Sequence, residues 1–260
     1  MTPTDYDSIR TGYLDLIKRS ITNYTYLGRD ASFDSFRCVV HYDLARSAWK
    51  IDPLARPLTL LTKGQLDLLE EAVLNIEKQG VPGHLLEAGV WRGGAIILMR
   101  ALVGAYGMRE RRVFAADSFA GIPLNTSGVN DPVDLWKDRW VASLDEVGAN
   151  LDRFGMLDDR IRFVVGEFSE SLKHLDGERF ALIRLDSDSY DSVGASLDYL
   201  YPLVSEGGIT IVDDWHLPGC RSAVMDYRAR HGIEDEIEEA HGNAYWVKQQ
   251  PYGSPRRGQA

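Results

Sequence analysis

Cysteine is nearly absent: Cys38 and Cys220 are the two in 260 residues. Two thiols cannot build a disulfide framework or a four-thiolate zinc site, which points to a reducing, cytoplasmic setting. Long apolar runs are missing too. A stretch such as Ala95 to Met99 is far too short to cross a bilayer. No basic stretch followed by an apolar one opens the chain, so neither a membrane nor a secreted protein is expected. Basic residues are the scarcer charge, 29 against 39 acidic ones, and the net −10 argues against a nucleic-acid partner. Neither repeats nor low-complexity blocks appear. The 44% hydrophobic and 26% charged residues that remain are enough for a large core in one soluble α/β domain with an N-terminal extension.

The first third reads as helices and loops, an extension and lid over residues 1–80. Ile9, Tyr13, Leu14, Leu16, Ile17 and Ile21 fall roughly on one side of a helix over 5–22. An irregular aromatic stretch, 24–49, follows. Thr62-Lys-Gly-Gln has the spacing of a capping box, which predicts a helix to about Lys78, ended by Gly80 and Pro82. From residue 84 the pattern changes. Short apolar stretches at 84–88, 112–116, 161–165, 180–185 and 208–212 alternate with helical segments near 94–107, 133–152, 168–175, 190–203 and 219–231. Asp131 and Pro132 mark the start expected for the helix near 133. This alternation predicts a mostly parallel sheet covered on both faces, with 234–239 and 243–248 as an antiparallel closing hairpin. The domain is expected over 81–250, with 251–260 as a flexible tail. Such sheets bind ligands at the carboxyl ends of their strands.

The first of those ends reads Leu86-Glu87-Ala88-Gly89-Val90-Trp91-Arg92-Gly93-Gly94. Gly89 and Gly93 allow a sharp turn close against a ligand, and Arg92 counts among the cofactor contacts expected there. Glu87 can accept from an amino or hydroxyl group or face a sulfonium charge. The spacing is not G-x-G-x-x-G, so the dinucleotide fingerprint fails. The second strand ends at Asp117, placed to hold ribose hydroxyls. Gly166 and Phe168 follow the third strand and can flank an adenine, although a plain strand-to-helix turn explains them as well. In this order the features look like a site for S-adenosylmethionine.

The last two strands end in Asp186-Ser187-Asp188-Ser189-Tyr190-Asp191 and Asp213-Asp214-Trp215-His216. Asp186, Asp213 and Asp214 at adjacent tips would repel one another unless a cation joined them. All-oxygen ligation is the choice of Mg²⁺, with Mn²⁺ or Ca²⁺ as alternatives, and a bound hydroxyl becomes more acidic. Asp188 is placed to be the general base, while Asp188 or Asp191 also suits a cap on the helix from Tyr190. His216 adjoins the cluster as a substrate contact, an alternative base or a surface residue. The other histidines show no ligand spacing.

Glu87-Ala-Gly-Val-Trp-Arg-Gly-Gly, Asp117-Ser-Phe-Ala-Gly-Ile-Pro, Arg184-Leu-Asp-Ser-Asp-Ser-Tyr and Val212-Asp-Asp-Trp together resemble the macrocin O-methyltransferase family. The likeness extends from Tyr13 through the Pro218-Gly-Cys-Arg segment, nearly the whole chain. It implies a Rossmann-like class I methyltransferase sheet and Mg²⁺-dependent transfer of a methyl group from S-adenosylmethionine to a deoxysugar hydroxyl, in antibiotic or other natural-product biosynthesis. The acceptor sugar would be carried on an aglycone or a nucleotide. By motif position Asp186, Asp213 and Asp214 would hold the metal and Asp188 would be the base. Glu87, Asp117 and Ser118 would meet the cofactor, with Asp186 counted among its contacts as well as with the metal. The resemblance also implies a homodimer or larger homo-oligomer, and makes segment 24–49 and loop 120–132 candidates for lid and acceptor contacts. Trp215 stands where the family often has Tyr. Three other readings use the same residues: a catechol-type enzyme acting on an aromatic diol, a metal-dependent phosphoryl transferase or hydrolase, and a nucleoside-binding protein without activity. The lack of a phosphate-cradling loop weighs against the second, and Asp188 beside the carboxylates weighs against the third.

Overall fold

The computed structural model describes residues 3–27, 42–43, 48–49, 56–124, 126–127 and 140–249. Most of the aromatic stretch, the Asp131 and Pro132 helix start, and the 251–260 tail therefore lie outside the described residues. The main helices are α1 (Pro3–Ile21), α2 (Lys63–Lys78), α3 (Gly94–Ala105), α4 (Leu144–Arg153), α5 (Phe168–Ser171), α6 (Tyr190–Leu200) and α7 (Pro218–His231). The strands are β1 (His84–Ala88), β2 (Val113–Asp117), β3 (Ile161–Val165), β4 (Phe180–Leu185), β5 (Val204–Val212), β6 (Glu238–Ala240) and β7 (Asn243–Val247). Two residue pairs, Tyr42–Asp43 and Ala48–Trp49, form a separate antiparallel ladder.

The seven strands make one sheet in the order β3-β2-β1-β4-β5-β7-β6. The first five are parallel, and β7 runs antiparallel between β5 and β6, as the hairpin at 234–248 predicts. Strand order reverses between β1 and β4, so a crevice opens at their carboxyl ends. Side-chain alternation divides the apolar residues between two layers. Leu85, Leu182, Ile209 and Ile211 face α1, α2, α3 and α4. Leu86, Ile183, Leu185 and Val212 face α6 and α7.

Helix α2 starts where the sequence places it. Thr62 Oγ1 accepts from the Gln65 amide, while Gln65 Oε1 accepts from the Thr62 N–H, satisfying two end groups at once. On α1 the structure departs from the expected stripe. Leu14, Ile17 and Ile21 are buried, whereas Ile9, Tyr13 and Leu16 are exposed. At a 100° step these two sets lie on adjacent faces of the helix, and only one meets the layer formed with α3. Buried Lys18 pairs with Asp67 and Glu70 and ties α1 to α2.

The helix expected over 133–152 is also different. Residues 140–143 are not helical, and α4 begins at Leu144 with Ser143 as its cap, accepting from the Glu146 amide at 3.2 Å. Likewise neither Asp188 nor Asp191 caps α6. Ser189 does, with its hydroxyl accepting from Ser192 N–H at 3.1 Å, while Asp188 sits at φ 59 with a carboxylate oxygen beside Asp186 and Asp214. Asp191 is held by Thr126 and Ser127 instead.

Candidate active site

A cavity of about 720 Å³ occupies the crevice, a size in the range of small-molecule and cofactor sites. Its floor is the turn from β1 into α3. Gly89 (φ 92) must be glycine: a Cβ there would lie 1.6 Å from the Asp186 carbonyl oxygen. Asp186 N–H in turn donates to the Ala88 carbonyl at 2.8 Å, so the ends of β1 and β4 are in direct backbone contact. Asp117 organises the same turn. One carboxylate oxygen accepts from Val90 and Trp91 N–H at 2.7 and 3.2 Å, and the other from Phe119 N–H at 2.8 Å.

Glu87, Gly89, Asp117, Ser118, Gly166, Phe168, Asp186 and Asp188 all line the cavity. Arg92 and Gly93 do not. Arg92 is buried behind the turn, donating to Glu146 Oε1 and the Pro57 carbonyl at 2.7 Å each, so it anchors α4 and the 56–59 segment. Gly93, at φ 89, is the left-handed residue from which α3 starts. Both serve the shape of the turn. Phe168 combines the two readings open to it, packing against the α6 and α7 layer while one side faces the cavity.

Three carboxylates converge beside this floor. Oxygens of Asp186, Asp188 and Asp214 lie within 4.8 Å of one another. Asp213, expected in that set from its place on the strand end, also lines the cavity but falls outside this group of three, its side chain held on Arg184. Its Oδ1 lies 2.6 Å from Arg184 Nη2 and accepts from Gln65 Nε2 at 3.3 Å. The Asn243 amide, turned with its nitrogen toward Asp213, reaches the same oxygen at 3.0 Å. Asp213 continues the Ile209 and Ile211 face, on which α2 lies, and so comes within reach of Gln65.

Burial raises the carboxyl groups of Asp213 and Glu87 beside Arg184. It pushes Asp213 up to about 6 against the opposing Arg184 charge, and Glu87 up to about 8 against the same charge. Asp214 is pushed well above the usual carboxylate range, by burial first and then by Asp188 and Asp186. One Asp214 oxygen is buried with no hydrogen-bond partner among the described residues. A convergent, all-oxygen donor set with an unsatisfied buried oxygen fits a hard divalent cation.

Sequence reasoning passed over several cavity residues. His241 and Gly242, at the β6 to β7 turn, face it beside His216, and so do Gln65, Trp91 and Trp140. Trp91 and Trp140 meet edge to face, with ring centroids 5.9 Å apart. Gln65 carried a signal as the third helical residue of the capping box, and Trp91 as part of the glycine turn; the others are brought in by long-range packing. Trp215, in contrast, is no pocket residue. It is buried in the α6 and α7 layer, with the Arg221 guanidinium 4.9 Å from its ring.

Residues 10–249 match the family described as Macrocin-O-methyltransferase. The chain belongs to the macrocin O-methyltransferase family. This macrocin-type enzyme is similar to the mycinamicin III 3''-O-methyltransferase of Micromonospora griseorubida, with 38% identity over 90% of this chain and 95% of the relative. It is similar to the 8-demethyl-8-(2,3-dimethoxy-alpha-L-rhamnosyl)-tetracenomycin-C 4'-O-methyltransferase of Streptomyces olivaceus, with 39% identity over 92% and 94%. Among solved structures, the O-methyltransferase NovP superimposes with a TM-score of 0.80 at 34% identity, covering 93% of this chain and 100% of that one. The fold is that of a Rossmann-like class I methyltransferase, and the protein is an S-adenosylmethionine-dependent O-methyltransferase. No described helix is long and apolar enough to cross a membrane.

Proposed function

We propose that the enzyme methylates a hydroxyl of a deoxysugar carried on a natural-product aglycone or a nucleotide, with Mg²⁺ held by Asp186 and Asp214 beside Asp188. One observation carries this reading: the three carboxylates meet in the same cavity as Glu87, Asp117 and Gly166. The activities of the relatives, 3''-O-methylation of mycinamicin III and 4'-O-methylation of a rhamnosyl-tetracenomycin, support the acceptor class.

The residues divide the work. Glu87, Asp117, Ser118, Gly166 and Phe168 would hold the cofactor across the ends of β1, β2 and β3, with Gly89 letting the backbone lie against it. Asp186 and Asp214 would hold the cation. Asp188 stands beside them on a left-handed turn and takes the acceptor proton. Asp213, with Oδ1 on Arg184, would keep Arg184 in place. S-adenosylmethionine supplies the electrophilic methyl group, and a divalent cation supplies the charge that acidifies a sugar hydroxyl. Methyl transfer needs little else from the protein than alignment, and the crevice provides it by burying donor and acceptor together. A homo-oligomer working in the cytoplasm completes the proposal.

Mass spectrometry of products from a panel of glycosylated antibiotic precursors, nucleotide-linked deoxysugars and aromatic diols tests it. A gain of one methyl group on a glycosylated or nucleotide-linked sugar, dependent on Mg²⁺, is expected. Methylation of the aromatic diols alone would overturn the acceptor assignment.

A further inference from the structure

Strand β4 is buried along its whole length, yet its fifth residue is an arginine. A leucine at 184 would satisfy the alternation, since this position continues the Leu182 face toward α2. What surrounds Arg184 explains the departure. Glu87, its register partner on β1, receives Nη1 at 2.5 Å. The same Nη1 donates to Asp186 Oδ2 at 2.9 Å, and Nη2 lies 2.6 Å from Asp213 Oδ1. Arg184 and Glu87 are each only 2% exposed at the side chain.

These three carboxylates belong to different parts of the site. Glu87 lines the cofactor side of the cavity, whereas Asp186 belongs to the cation cluster. Asp213 comes from the next strand and is braced by Gln65 of α2. A planar guanidinium with donors in a fixed fork can serve all three at once, which an ammonium cannot do with the same geometry. Any ligand that reorients Glu87 changes how firmly Nη1 holds Asp186. A cation that draws on Asp186 changes, through the same nitrogen, what is left for Glu87.

We infer that Arg184 is a positioning residue that couples the cofactor side of the site to the cation side, so that the two ligands bind interdependently. The inference rests on the cofactor and cation reading proposed above. Arg184 itself lies outside the cavity lining and would touch neither ligand. Its effect passes through Glu87 and Asp186, and coupling of this kind is reciprocal by thermodynamic necessity.

The test is a binding experiment on the full chain with Mn²⁺ and S-adenosylhomocysteine as probes. Mn²⁺ affinity is read by electron paramagnetic resonance and S-adenosylhomocysteine affinity by calorimetry, each with and without the other ligand. In the wild type each ligand is expected to change the other's affinity by the same factor, about fivefold or more. In Arg184→Lys that factor falls toward one while both ligands still bind, because the charge remains and the fork does not. A merely structural arginine would alter the melting temperature and leave the factor unchanged. Should Arg184→Lys fail to fold, Glu87→Gln keeps the shape and removes one arm of the link, and the same loss of coupling is expected. A wild type that binds both ligands independently overturns the inference, as does a folded Arg184→Lys or Glu87→Gln that retains the full factor. A wild type that binds neither probe overturns the proposed function instead, so the two failures are distinguishable.

Discussion

Asp191 holds Thr126 by three contacts to its neighbourhood: its carboxylate accepts the Thr126 N–H at 2.5 Å, the Thr126 hydroxyl at 3.0 Å and the Ser127 N–H at 3.0 Å. The first turn of α6 is thereby fastened to the loop that carries Gly121, Ile122 and Pro123 along the cavity. Asp191→Ala releases that fastening. Because the bonds are exposed, the cost in global stability is expected to be about 1 kcal/mol or less. Hydrogen exchange in residues 118–127 should rise, and ligand affinity should fall, with the melting temperature nearly unchanged. Unaltered exchange in that loop would show that Asp191 does not hold it.

Asp188 lies in the carboxylate cluster and Asp213 beside it on Arg184, and three conservative variants separate the roles of Asp188, Asp213 and Asp214. Asp188→Asn should lower kcat by on the order of 100-fold to 10,000-fold with little change in S-adenosylhomocysteine affinity, since proton removal is lost and the cofactor side is intact. Asp214→Asn should abolish Mn²⁺ binding. Asp213→Asn should weaken it by less than Asp214→Asn does, because Asp213 lies on Arg184 and outside the cluster. Near-normal turnover of Asp188→Asn across pH would remove it as the base, and full activity in excess chelator would remove the metal.

The Gly89 turn is expected to tolerate no side chain. Gly89→Ala would drive a methyl group into the Asp186 carbonyl while imposing a left-handed backbone on alanine. A loss of roughly 4 kcal/mol or more, or failure to fold, should follow. Gly107 and Gly155 supply the control. They share a positive φ but have open space where a Cβ would go, so alanine there should cost only about 1 to 2 kcal/mol. Urea unfolding of the three variants checks the ordering.

His84 makes stability depend on pH. Partial burial is the largest cause of its pKa lying below 6.5; Glu178, 3.5 Å from Nε2, opposes it, while the charges of Arg112, Arg111 and Arg162 and a hydrogen bond from Arg112 N–H to Nδ1 favour the neutral imidazole. The unfolded chain therefore binds a proton more readily than the folded one. The contribution of His84 is fully present above pH 6.5 and is lost as pH falls from there through its folded value. Unfolding at pH 7.5 and 5.5 should show a smaller acid loss in His84→Gln than in the wild type. Equal losses would mean that His84 does not titrate in this window.

Much of the architecture was legible in the sequence because it rests on local rules. Five apolar stretches bounded by turns became five parallel strands, each within a few residues of its expected place, and Thr62 with Gln65 marked the start of α2. The cavity lining was legible where a carboxylate sits directly on a strand tip, as with Glu87, Asp117 and Asp186. It was not legible where a side chain's direction matters. Arg92 lies in the glycine turn but points behind it to Glu146, and Ser189 caps α6 although Asp188 and Asp191 flank it. Residue type and spacing are the same under either outcome.

The scarcity of thiols, long apolar runs and basic charge narrowed the class, and the order of the motifs by itself determined an open sheet with a cofactor turn and a carboxylate cluster. Only the tertiary structure decided which carboxylates meet. Asp213 and Asp214 are neighbours in the chain, yet one is held by Arg184 and Gln65 while the other meets Asp186 and Asp188. The buried arginine belonged to a recognised motif, but its three partners come from three strand ends that only folding brings together. Local preference sets where strands begin and end; the pairing of charges depends on which strands become neighbours.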